Sequence, residues 1–262
     1  MFGHAFKGQP AGQLLLRRFR AGGGTLYDLE YLLDEDGRRL AAFGYWAGYA
    51  GAAVSLKCWA AQQQGGVCGP VHAYADKNLL IEDLRARMDA TGHPRPHAIV
   101  IGAKGRVGSG AADLMTTMGV PVTRWDIEET AHGGPFPEVL AHEIFINAIL
   151  ARPGAPVFVP AEAINPGRAL TVIGDVACDP TSDFSPIKVY DRTTTWDAPA
   201  LRVADDPPLD VMAIDNLPSM LPRESSADYA AQLLPVLARL DDIDAGAWGR
   251  ARAIFRDNLN EV

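Results

Sequence analysis

The chain has no apolar run approaching the roughly 18 residues that a membrane-spanning helix needs. It has no cluster of lysine and arginine of the kind that grips a phosphate backbone, and its net charge is −8. Both features argue against a membrane or a nucleic acid as partner. Cysteine is scarce: Cys58, Cys68 and Cys178 are odd in number, widely spaced and free of any metal-ligand pattern. The expectation is reduced thiols, no metal and a cytoplasmic protein; the first residues do not read as a signal peptide. There is no internal repeat and no low-complexity tail. What remains is 262 residues, 48% of them hydrophobic. That is enough for a real core in one large or two modest domains.

The most informative stretch runs HAIVIGAKGRVGSGAADLM from His97. A short apolar run, Ala98 to Ile101, meets a glycine-rich loop and then a helical pattern. Gly102, Gly105 and Gly108 recur every third residue. Such a strand–loop–helix unit lets backbone N–H groups approach a pyrophosphate, with the helix N-terminus adding partial positive charge. The next apolar run, from Val120, ends at Trp125 and Asp126. Asp126 stands 24 positions after Gly102, near the roughly 20 expected for an acidic residue that binds an adenosine ribose. A carboxylate there would repel a 2′-phosphate, so NAD is favoured over NADP; Arg124 nearby weakens that slightly. The spacing is GxxGxxG rather than GxGxxG, so the loop alone does not identify a family.

Periodicity and turn signals give the rest. Strands are expected at Phe2 to Phe6 and Leu26 to Leu33, with Arg39 to Phe43 as the returning strand of a hairpin. Helices are expected at Ala11 to Phe19, Ala47 to Gln64, and Asn78 to Ala90. The second of these is dense in small residues, which implies close packing. After the glycine loop, strands at Val120 to Ile127, Ile144 to Ile149, Leu170 to Val176 and Asp210 to Ile214 predict a parallel sheet covered on both faces. Two helices follow, Ser225 to Leu240 and Ala247 to Leu259. The fold class is α/β: a Rossmann-like domain at 47–214, and a second, incomplete Rossmann-like domain formed from both chain ends, 1–46 and 215–262.

Seven segments, in order, are FGHAFKGQ from Phe2, GTLYDLE from Gly24, GRRLAAFGYWAG from Gly37, GAKGRVGSG from Gly102, WDIEET from Trp125, GGPF from Gly133, and IDNLPSMLPRE from Ile214. Together they resemble the NAD-dependent, lysine-forming saccharopine dehydrogenase family over nearly the whole chain. The resemblance implies oxidation of saccharopine with NAD to lysine and 2-oxoglutarate, in a cleft between two Rossmann-like domains. It makes His4 a catalytic general acid/base, a role that suits an imidazole with an ordinary pKa of about 6.5. Glu30 then tunes the catalytic pair. Gln9, Arg39 and Phe43 contact substrate, the guanidinium fork suiting a carboxylate. Arg38 contacts the cofactor.

On the dinucleotide side, the resemblance assigns Gly105, Arg106, Asp126 and Thr130 to the pyrophosphate and ribose. Leu150 and Val176 lie near the bound dinucleotide, although Leu150 departs from the aromatic residue of some members. Ala177, Cys178 and Asp179 form a substrate-contacting tripeptide. Ile214, Asp215, Asn216 and Leu217 sit beside the nicotinamide. Family members also carry a segment before the motif that begins here at Phe2. That segment holds a catalytic lysine and a substrate-binding arginine; Lys7 and Arg17 stand in other motif contexts and do not replace them. The expectation is a shortened chain that binds NAD but turns over saccharopine poorly alone. A non-catalytic NAD-binding protein and an opine-type dehydrogenase for another secondary amine are the alternatives.

Overall fold

The structure of the chain, a computed structural model, describes residues 5, 6, 10–150 and 152–260. In chain order its elements are α1 (Pro10–Gly22), α2 (Gly44–Gln63), α3 (Lys77–Ala90), β1 (Ala98–Ile101), α4 (Arg106–Thr117), β2 (Val122–Trp125), the short α5 (Ile127–Thr130) and α6 (Pro137–Ala141), then β3 (Ile144–Asn147) and β4 (Val172–Asp175). The edge hairpin β5 (Leu201–Asp205) and β6 (Pro208–Met212) follows, and α7 (Pro222–Leu237) and α8 (Gly246–Asn260) close the chain. Two compact units result: Met1–Phe43 with Ser226–Val262, and Gly44–Ser225. The sequence reading put the boundaries at 46/47 and 214/215. They fall at 43/44 and 225/226 because α2 already starts at Gly44, and Leu217, Met220 and Leu221 are buried in the same core as α2.

The central unit is a six-stranded sheet in the order β2-β1-β3-β4-β6-β5, parallel except for β5. β1 lies between β2 and β3, so successive crossovers leave it in opposite directions, and ligands bind at the strand carboxyl ends beside such a reversal. The register aligns those ends: Trp125 and Asn147 flank Ile101, and Asp175 pairs with Asn147. The strands β1, β3 and β4 are buried on both faces, which accounts for their unbroken apolar runs. Two apolar layers enclose the sheet. One, with α2, α3 and α4, includes Leu56, Leu84, Val100 and Met115; the other includes Phe136, Phe145, Phe158 and Val211.

α2 is buried along almost its whole length, and its small residues are what permit this. A Cβ on Gly48 would fall 1.8 Å from the Val107 carbonyl oxygen, and one on Gly110 would fall 1.9 Å from that of Tyr45. The two glycines thus let α2 and α4 touch backbone to backbone. On β4, a Cβ built on Gly174 would fall 2.3 Å from the Ser55 hydroxyl oxygen of α2.

The end unit departs from the sequence expectation. Leu26 to Leu33 is not a strand, and Arg39 to Phe43 is not its hairpin partner. Leu29–Tyr31 is a 3-10 turn capped by Asp28, whose carboxylate accepts the Glu30 N–H at 3.0 Å. Only the isolated antiparallel bridge Leu33–Arg39 survives of the hairpin among the described residues. Among the described residues the ladder has no neighbouring strand to extend it, and the local Asp cap outcompetes it. α1 packs on α8 through Leu16, Leu26 and Phe255, and Trp248 donates its indole N–H to the Val236 carbonyl at 3.0 Å. Of the strand expected at Phe2 to Phe6, only Ala5 and Phe6 are described, in a turn. β5 went unforeseen because it is a half-buried edge strand rather than an apolar run.

Candidate active site

The glycine loop leaves β1 at Gly102, whose backbone sits at φ +89, where a side chain would be strained. A Cβ there would also collide with Ala148 and Ile149, at 3.0 and 2.9 Å. Gly105 caps α4 with no side-chain hydrogen bond. Gly108 is forced by packing, since its Cβ would fall 2.1 Å from the Gly102 carbonyl oxygen. A Cβ on Gly105 would meet only Gly102, at 3.3 Å. The N-terminus of α4 is thereby held against a bare backbone loop, open on the side that a phosphate would approach.

Asp126 ends β2 and organises this loop from the side. One carboxylate oxygen accepts the Lys104 N–H at 2.8 Å, and the other accepts the Ile127 N–H at 2.9 Å. Glu129 returns a bond to the Asp126 N–H at 2.7 Å, completing a capping box. Thr130 is buried and directs its hydroxyl to the Asp126 carbonyl at 3.0 Å. Arg124 turns away toward Thr116, at 3.4 Å. Arg106 is exposed at the first turn of α4, and Leu150 is exposed beyond β3. A bare glycine cradle, an uncapped helix start and a strand-end carboxylate with spare lone pairs match the pyrophosphate and ribose of NAD; the residues present fit that cofactor.

A second group gathers at the carboxyl edge of the same sheet. Ala47, Val176, Ala177, Cys178 and the stretch 214–218 line a cavity of about 360 Å³. Cys178 has φ +55 and Asn216 has φ +63. The Cys178 N–H donates to Asp175 at 3.1 Å, and its thiol to the Ala213 carbonyl at 3.0 Å. Burial pushes that thiol up to about 12, helped by the carboxylates of Asp175, Asp215 and Asp179. It is a held group, not a nucleophile. The Asn216 N–H bonds Asp215 at 2.8 Å, and Leu217 is buried. Ile214 bridges Thr194. The structure therefore brings Val176, Ala177, Cys178, Ile214, Asp215, Asn216 and Leu217 together.

Within the end unit, Arg39 Nη2 meets Glu30 Oε1 at 2.6 Å; Glu30 is buried and Arg39 half-exposed. Phe43 stacks on Tyr229, with ring centroids 4.5 Å apart. Arg38 is exposed, 3.8 Å from Asp36. His4 and Gln9 lie outside the described residues. A larger cavity, about 620 Å³, is lined by residues including Asp34, Asp36 and Trp248, and Glu30, Arg38, Arg39 and Phe43 are not among its lining residues. Sequence reasoning missed Asn147, Asp175 and Tyr190, which stand directly behind the Cys178 loop. The signal was a polar residue closing an apolar strand, as in FIN and VIGD.

No family model matches the chain. Curated relatives do. The saccharopine dehydrogenase [NAD(+), L-lysine-forming] of Neurospora crassa is 43% identical over 271 residues, covering 98% of this chain and 73% of its own. Its counterpart in Schizosaccharomyces pombe is 41% identical over 275 residues, covering 100% and 75%. That of Candida glabrata is 44% identical over 268 residues, covering 97% and 72%. Among solved structures, an L-alanine dehydrogenase superposes with a TM-score of 0.62 at 18% identity, over 97% of this chain and 74% of that one. At that identity it supports the α/β dinucleotide-binding fold alone. With more than two-fifths of its residues shared along nearly its whole length, the chain belongs to the NAD-dependent, L-lysine-forming saccharopine dehydrogenase family.

Proposed function

We propose that this chain catalyses the reversible, NAD-dependent oxidative deamination of saccharopine to L-lysine and 2-oxoglutarate. The carrying observation is the family membership, supported by the glycine cradle and Asp126 at the carboxyl edge of the sheet. NAD, when bound, accepts a hydride from the glutarate α-carbon. The resulting imine takes up water, and its C–N bond breaks to release the two products and a proton. Saccharopine, lysine and 2-oxoglutarate are thus its small-molecule partners.

The residue roles follow the same reading. Gly105, Arg106, Asp126 and Thr130 hold the pyrophosphate and ribose; Arg38, Leu150, Val176 and the stretch Ile214 to Leu217 complete the cofactor contacts. Arg39 binds a substrate carboxylate, its guanidinium oriented by Glu30. Gln9, Phe43, Ala177, Cys178 and Asp179 are the other substrate contacts. His4 moves the proton at the substrate nitrogen. A role apart from nucleic acid and membrane is supported by the net charge of −8, and among the described residues no helix is long and apolar enough to cross a membrane. Three unpaired cysteines support a cytoplasmic setting.

Product analysis tests the assignment: incubation with saccharopine and NAD should yield lysine, 2-oxoglutarate and NADH in equal amounts. NADH formation faster with another secondary-amine dicarboxylate, and without lysine, would point instead to an opine-type dehydrogenase.

A further inference from the structure

Asp175 closes β4 and is 1% exposed. A carboxylate in the middle of a parallel sheet is costly unless donors satisfy it. Three do. Asn147 Nδ2 donates at 2.9 Å, the Cys178 N–H at 3.1 Å and the Tyr190 hydroxyl at 2.5 Å. The three come from different segments: the end of β3, the loop after β4, and a stretch well downstream. Burial and the adjacent Asp175 carboxylate raise the Tyr190 hydroxyl, which keeps it a donor.

The consequence for the site is geometric. Cys178 adopts a left-handed backbone conformation that a non-glycine residue holds only when its surroundings impose it. Asp175 imposes it from one side and the Ala213 carbonyl from the other. Ala177, which lines the cavity, and Asp179 flank that turn on either side of Cys178. On its other flank Asp175 fixes Asn147. The Asn147 carbonyl accepts the Val176 N–H at 3.1 Å, and the next two residues abut Gly102 of the glycine loop. One buried carboxylate therefore ties the 176–179 loop to the segment on which the glycine cradle rests.

We propose that Asp175 is a positioning residue for the reaction, fixing the 176–179 loop through Cys178, Asn147 and Tyr190 without needing to touch substrate. The proposal rests on the reading of Ala177 to Asp179 as substrate contacts.

The test compares the parent protein with D175N and Y190F; the latter removes one donor and leaves the carboxylate charge in place. Cys178 alkylation by iodoacetamide, followed by mass spectrometry, reports on the loop. Buried Cys58 serves as internal control for global opening. Y190F, which keeps the charge that raises the thiol, should speed Cys178 alkylation by about fivefold, and D175N by more, with Cys58 unchanged in both. In steady-state assays D175N should lower kcat/KM for saccharopine by on the order of tenfold or more while the Kd for NAD stays within about threefold. Cys178 alkylation in Y190F within about twofold of the parent would overturn the proposal, since D175N also removes a charge beside the thiol. So would a parallel rise at Cys58, or an equal loss of NAD affinity, either of which marks a purely structural residue. A parent protein that forms NADH with another secondary-amine dicarboxylate but not with saccharopine would count against the saccharopine assignment, and the alkylation pattern would then decide the proposal.

Discussion

The Asp126 carboxylate, at the end of β2, accepts the backbone N–H of Lys104 in the glycine loop at 2.8 Å. The residue read as the ribose ligand is therefore also a clamp on the glycine loop. Asp126→Ala should weaken NAD binding by more than the loss of one ribose contact. A charge-assisted hydrogen bond is worth about 1.5–3 kcal/mol, and the lost cap adds about 1 kcal/mol. Titration with NAD and NADP checks this. NAD affinity should fall by on the order of tenfold or more, and the preference for NAD over NADP should shrink. An unchanged preference would remove Asp126 from the ribose site.

Gly110→Ala should destabilise the central unit. Its methyl group would sit 1.9 Å from the Tyr45 carbonyl, a backbone atom that cannot swing aside. Forced separation of packed helices costs about 1–3 kcal/mol. Urea unfolding of the variant should show a lower midpoint with a similar slope. Gly119→Ala makes a useful contrast, because a Cβ there meets nothing within 4 Å and only the positive φ of +72 opposes it.

Arg39→Lys should not behave as a conservative change. Arg39 meets Glu30 at 2.6 Å through one guanidinium nitrogen, Nη2, and an ammonium does not offer the planar fork that would hold Glu30 and a substrate carboxylate together. The KM for saccharopine should rise with a cost of about 1.5–3 kcal/mol, with NAD affinity unaffected. Steady-state kinetics at varied saccharopine would refute the role if KM stays unchanged.

Stability should fall in acid through one identifiable group. Burial raises the Asp83 carboxyl, but Lys57, Tyr74 and Arg87 outweigh it and hold the carboxyl at about 2, below its ordinary 3.8. Lys57 donates at 2.6 Å and is itself almost fully buried. The folded pKa is depressed, so the contribution is present above the ordinary value and is lost as pH falls from about 4 toward 2. Thermal unfolding across that range should show a declining Tm in the parent and a flatter decline in Asp83→Asn. That variant should also be less stable at neutral pH, since it leaves Lys57 buried without its anion.

The parallel sheet was legible because strands buried on both faces read as AIVI, IFIN and TVIGD. The glycine loop was legible because its glycines recur every third residue after an apolar strand, and Gly102 and Gly108 each answer a separate steric demand. The end unit was not. Its apolar residues at Leu26, Leu29 and Leu32 alternate with nothing that a ladder could use, and a three-residue turn capped by Asp28 took their place. The 176–179 loop was legible as a candidate site only through resemblance: nothing in DVACDP announces that Cys178 is turned into a left-handed conformation by the carboxylate three residues before it. That depends on Asn147 and Tyr190, which no local pattern connects.

The central claim is that the carbon oxidised is the α-carbon of the glutarate half of saccharopine. Saccharopine deuterated at that carbon, incubated with the protein and NAD, tests it most directly. The expected result is deuterium transferred to the reduced nicotinamide, with unlabelled lysine and 2-oxoglutarate as products. Deuterium retained in glutamate as the released product, with unlabelled NADH, would contradict it.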